Sequence, residues 1–115
     1  MSGYKGDIPF DLIARRLKAM AEPSRLRLLH LLGGESMNVS ELVEASGQSQ
    51  AGVSKHLRIL RQEGLVETRR VQRMVYYSLS SGLTREICDS VCRSIEEGIA
   101  GGREMLGNYW KAIDG

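Results

Sequence analysis

With 115 residues, 42% apolar and 26% charged, the chain has the composition of one ordinary globular domain, which excludes a disordered polyelectrolyte and leaves a core that gains from pairing with a second copy. The net charge of +2 is unevenly placed: residues 48–73 carry six basic side chains against two acidic, and the rest of the chain ten against twelve. Asp11, Arg15, Arg16 and Lys18 interrupt the apolar run near the start, and no stretch approaches the roughly 20 apolar residues of a membrane span, so no leader or membrane segment is expected and a cytoplasmic location with reduced thiols is.

The first element is written in "IPFDLIARRLKAMAEPSR", where Leu12, Ile13, Leu17 and Met20 recur at helical spacing. Pro23 ends that helix and is suited to the first turn of the next. In "SRLRLLHLLGG", Leu26, Leu28, Leu29, Leu31 and Leu32 surround most of a short, buried helix that Gly33 and Gly34 stop. His30 lies in this run with no partner at ligand spacing, so a packed or half-exposed side chain is expected there. "MNVSELVEASG" predicts a third helix, with Asn38 and Glu41 at capping-box spacing and Gly47 as its C-cap.

"QSQAGVSKHLRILRQEG" follows at once, capped by Ser49, striped by Val53, Leu57 and Leu60, and ended by Gly64. The short connection between these two helices predicts a tight helix-turn-helix. The period then shortens: "LVETRR" and "MVYYSLS", separated by "VQR", read as a β-hairpin. From Leu83 helical spacing returns with Ile87, Val91, Ile95 and Ile99, in a helix expected over 83–107 that Gly98, Gly101, Gly102 and Gly107 weaken. The order α-α-α-α-β-β-α predicts a mainly α winged helix-turn-helix with a small β-hairpin wing, as one domain over 1–115.

In such a motif the second helix enters the major groove with its N-terminal residues at base edges. With Val53, Leu57 and Leu60 turned inward, Gln50, Ser54, Lys55 and Arg58 project outward; Gln pairs with adenine, and Lys or Arg reaches guanine or phosphate. Gly52 leaves room for close approach. Arg69, Arg70 and Arg73 lie on or beside the wing tip, where cations straddle phosphates or probe the minor groove and supply salt-dependent affinity. The bland reading of both groups is a solvated polar face. His56, at the edge of the apolar stripe, is expected to be structural or to touch phosphate.

"EPSRLRLLHLL", "SQAGVSKHLRILRQEGLVETRR" and "VYYSLS" together resemble the ArsR family of small bacterial transcriptional repressors, in order from about Leu12 to Leu79. The resemblance implies a homodimer through the first and last helices, two recognition helices on a palindromic double-stranded DNA operator, and release by an inducer, often a metal or metalloid ion. Two departures stand out. Val71-Gln72-Arg73 occupies the wing tip where many members carry Gly, so a longer or differently shaped turn is expected. "NVSELVEAS" replaces the Cys-Val-Cys-type motif of the arsenic sensors, and the last helix lacks the His of the zinc, cobalt or nickel site.

The chain's two cysteines, Cys88 and Cys92, share one face of the last helix. Three readings stand open. They are a soft-ion site for As(III), Cd(II), Hg(II) or Cu(I), short of a full tetrahedral set unless a dimer or a further residue completes it. They are redox- or persulfide-sensing thiols, whose pKa Arg85 and Arg93 would lower. Or they are small apolar residues beside the row of Ile87, Val91 and Ile95. A winged-helix protein-interaction module without DNA binding is the rival class, and an enzyme lacks any nucleophile–base spacing.

Overall fold

The computed structural model describes residues 7–98, and the part of the expected last helix beyond Gly98 lies outside them. Five helices and one hairpin follow the expected order: α1 (Phe10–Met20), α2 (Pro23–Leu32), α3 (Val39–Ser46), α4 (Gln50–Gln62), β1 (Val66–Val71), β2 (Met74–Leu79) and α5 (Leu83–Gly98). The chain divides into two compact units, one running to Thr84 and one from Arg85 onward.

The core of the first unit is aliphatic. Leu28, Leu29, Leu42, Val53, Leu57 and Leu60 are the largest fully buried side chains, drawn from α2, α3 and α4. Truncating any one of the five leucines to Ala would cost about 2–5 kcal/mol. α1 differs. Only Ala19 and Met20 are buried on it, while Phe10 is 69% exposed and Leu12, Ile13 and Leu17 also face solvent.

The helix ends explain why these segments stop where they do. Glu22 caps α2 by accepting from the Ser24 amide at 3.1 Å, and Pro23 takes the first helical position, where no amide donor is needed. Arg25 donates to the carbonyls of Ala19 and Lys18, closing the end of α1. The Asn38–Glu41 capping box is complete, with reciprocal bonds of 2.9 Å. Gly33 ends α2 in right-handed conformation, whereas Gly47 and Gly64 take the positive φ (74° and 75°) that lets the chain turn sharply after α3 and α4.

The hairpin is the tightest available. Val71 pairs with Met74, so only Gln72 and Arg73 form the turn, and Gln72 takes φ 57°. The expectation of a longer turn is therefore corrected: Gln72 adopts the backbone that Gly would occupy, and the wing keeps a two-residue tip. Met37, ahead of α3, adds a bridge on the other side of β2, exchanging backbone bonds of 2.8 and 3.0 Å with Tyr77. This pins the wing to the helical body.

Candidate nucleic-acid interface

The turn between α3 and α4 is Gly47-Gln48-Ser49. Ser49 caps α4 by accepting from the Gly52 amide at 3.0 Å, and Gln48 donates its side-chain amide to the Ser24 carbonyl at 3.1 Å. The start of α4 is thus tied both to the turn and to α2. Its buried stripe of Val53, Leu57 and Leu60 fixes its rotation. Gln50, Ser54, Lys55 and Arg58 consequently stand exposed on the outer side.

The other end of α4 is held by α1. Arg16 donates its Nε to the Glu63 carbonyl at 2.9 Å, and Arg15 meets the Glu63 carboxylate at 3.0 Å. These bonds occupy Glu63 and remove one of the two acidic groups from the basic segment. Lys55, Arg58, Arg69, Arg70 and Arg73 make no ion pair with an acidic side chain among the described residues.

The strand register sorts the wing cations. Arg69 lies opposite Tyr76 on the face with Glu67, whereas Arg70 lies opposite Val75 on the face that also carries Thr68 and Tyr77. Arg73 is in the turn itself, and Arg70 donates its Nε to the Gln72 carbonyl at 3.3 Å, bracing the tip. All three arginines are exposed. They therefore present charge on both faces and the end of the ribbon, as an arm lying against a polyanion would.

His56 is half-buried on α4 with its Nε2 3.6 Å from the Glu22 carboxylate, which also meets Arg25 at 3.8 Å. The backbone bond from Ser24, followed by the nearby His56 and Arg25 charges, outweighs desolvation and holds the Glu22 carboxyl below its usual range. Glu22 thus joins the start of α2 to the middle of α4, a role that its place in "AEPSR" did not advertise. His30 is exposed on α2.

Sequence reasoning also passed over Arg61, Gln62 and Tyr77. With Ser54, Leu57 and Arg58 they line a cleft of about 530 Å³ between α4 and β2. The signal available was the spacing of Ser54, Arg58, Arg61 and Gln62, which places them along one side of the helix.

On α5, Ile87, Val91 and Ile95 form an apolar row, with Val91 52% exposed, and Cys88 and Cys92 run beside it as free, exposed thiols. Their exposure leaves the packing reading without support in a single protomer. The expected lowering of a thiol pKa is reversed at Cys88: partial burial, with the Asp89 carboxylate second, pushes it up. Among the described residues no group of three or more His, Cys, Asp or Glu side chains is placed to hold a metal ion.

A capped helix-turn-helix, a braced two-strand wing and an unpaired cationic outer surface define a winged helix-turn-helix protein. The chain belongs to the ArsR family: residues 22–68 match the family described as "Bacterial regulatory protein, arsR family". It is 43% identical to the "Transcriptional repressor SmtB homolog" of Synechocystis over 71% of this chain, and spans 65%, less than two thirds, of that protein's length. The crystal structure of NolR from Sinorhizobium fredii superposes with a TM-score of 0.69 at 36% identity, covering 78% of this chain and 95% of that one. The homodimeric winged helix-turn-helix DNA-binding domain Mb0332 from Mycobacterium bovis also gives 0.69, at 27% identity over 84% of this chain and 94% of that domain. The family is one of regulators, not enzymes.

Proposed function

We propose that this chain is a cytoplasmic transcriptional repressor that binds a palindromic double-stranded DNA operator as a homodimer. The observation that carries this reading is the unpaired cationic surface of α4 and the wing, held rigidly by bonds to α1 and α2 at both ends of the helix. Gln50 stands nearest the N-terminal end that reads bases, Ser54 and Lys55 follow about one turn on and Arg58 a further turn, and Arg69, Arg70 and Arg73 anchor the wing on phosphates. The exposed apolar faces of α1 (Phe10, Leu12, Ile13, Leu17) and α5 (Val91, Ile95) support pairing through the first and last helices. The resemblance to a homodimeric domain supports it too.

The test is selection of a binding duplex from a random library, then titration with the wild type and with Lys55→Ala. A palindromic consensus and weaker binding by the variant are expected. A chain that retains no duplex is a protein-interaction module instead.

Cys88 and Cys92 are the candidate inducer site. Two thiols at i and i+4 on one helix supply two soft ligands, half of a tetrahedral set, and a second copy would supply the other half. When bound there, a soft ion such as As(III), Cd(II), Hg(II) or Cu(I) would cross-link the α5 helices. Oxidation or persulfidation of the same exposed thiols is the second reading, carried by their accessibility. Intact mass spectrometry of the reduced protein after exposure to each metal ion, peroxide or polysulfide, read beside DNA release, separates the two. An adduct that appears without DNA release removes the cysteines from the mechanism.

A further inference from the structure

The cleft between α4 and β2 is unlike the rest of the basic surface. Ser54, Arg58, Arg61 and Gln62 form one wall from the helix, Tyr77 the other from the strand, and Leu57, 1% exposed, lies at the floor. Among the described residues no carboxylate lines it. Arg58 and Arg61 sit at i and i+3, where two like charges repel unless an anion lies between them. Neither makes an ion pair or side-chain hydrogen bond among the described residues. The donors are those of an oxyanion site: two guanidinium forks, two hydroxyls and a carboxamide. The apolar floor strengthens such contacts by lowering the local dielectric. Tyr77 is a fixed wall, because both its backbone groups bond Met37.

We propose that this cleft is a phosphate site, filled in the DNA complex by one backbone phosphate that Arg58 and Arg61 hold together. The inference rests on the DNA-binding reading above and deepens it. Gln50 and Lys55 do not line the cleft, so the outer surface of α4 divides its work. Gln50 at its N-terminal end and Lys55 beside the cleft address bases, and the residues from Ser54 to Gln62 that line the cleft grip the backbone, with Arg61 as a DNA contact and Arg58 assigned to phosphate rather than guanine.

The experiment uses the full-length chain and compares wild type, Arg61→Gln, Tyr77→Phe and Lys55→Ala on a selected duplex and on a scrambled one, across a salt series. Circular dichroism confirms that each variant is folded. Arg61→Gln weakens binding about five- to tenfold on both duplexes alike and lowers the salt slope by about two, since one phosphate contact is lost in each half-site. Tyr77→Phe acts in the same direction to a smaller extent. Replacing single phosphates of the duplex by uncharged methylphosphonates reveals one position per half-site that weakens the wild type and leaves Arg61→Gln unaffected.

Wild-type affinity and slope in Arg61→Gln, beside weakened binding by Lys55→Ala, overturn the phosphate site while DNA binding stands. Failure of the wild type on every duplex overturns both. Titration with inorganic phosphate, followed by NMR of the Tyr77 ring, covers the other source of the same chemistry. Saturation there at low concentration, with Arg61→Gln still binding DNA as the wild type does, assigns the cleft to a free anion and overturns the proposal.

Discussion

Gly64 joins the recognition helix to the wing, and replacing it by Ala tests how that junction is built. Its φ of 75° costs an L-residue about 1–2 kcal/mol. Ala recovers about 0.4–1 kcal/mol of that by restricting the unfolded chain. The new Cβ would lie 2.7 Å from the Arg16 guanidinium, which must move and give up its bond to the Glu63 carbonyl. That bond is worth about 0.5–1.5 kcal/mol. The expected loss is about 0.5–3 kcal/mol, read as a fall in Tm of roughly 4–8 °C per kcal/mol for a domain near this size. Gly47→Ala is the internal control, because its φ is 74° but no atom lies within 4 Å of the added Cβ. Melting at equal protein concentration should rank Gly64→Ala below Gly47→Ala, and the gap should close when both are made in an Arg16→Ala background. Equal losses for the two glycine variants in the wild-type background would refute the part given to Arg16.

Gln72→Gly should stabilise the chain by about 0.5–1 kcal/mol, since Gly takes the positive φ of the wing tip without strain, and Gln72→Val should destabilise it; thermal melts of the pair check both signs. Cys88 should stay protonated at neutral pH because burial and Asp89 raise its folded pKa above the unfolded value. Any stability this confers is complete at low pH and lost as pH rises through the unfolded pKa toward the folded one. Its iodoacetamide alkylation rate should therefore still climb above the ordinary thiol range, and a plateau near pH 7 would contradict the assignment. The Glu22 carboxyl, held below its unfolded pKa by Ser24, His56 and Arg25, should make the fold lose stability as pH falls through the carboxylate range, a loss that Glu22→Gln should flatten.

Local chemistry was legible in the sequence. The Asn38–Glu41 box, the Ser49 cap and the Gly47 and Gly64 turns each depend on residues within a few positions, and the Val53, Leu57, Leu60 stripe alone assigns the outer face of α4. What the sequence did not display are contacts joining distant segments. The Met37–Tyr77 bridge pairs backbones, which leave no mark on side-chain pattern. Arg16 to Glu63 and Glu22 to His56 are ordinary charged residues until the fold brings α1 and α2 against α4. The cleft was hidden for the same reason: Arg61 and Gln62 are unremarkable on a helical wheel, and Tyr77 comes to face them only through the register of β2. At the wing, the residue type misled. A Gln at a position that favours Gly suggested a longer or differently shaped turn; the two-residue register rules out the longer one, and Gln72 bears the positive φ.

The central claim is that α4 and the wing present unpaired cations to DNA. The most direct measurement is the affinity of the wild-type chain for a random-sequence duplex at several salt concentrations. Retardation at low salt is expected, with a log–log slope near −0.9 for each phosphate neutralised, so that six or more contacts across a dimer remove about three decades of affinity between 50 and 200 mM salt. Binding that does not change with salt, or no binding at the lowest salt, would contradict it.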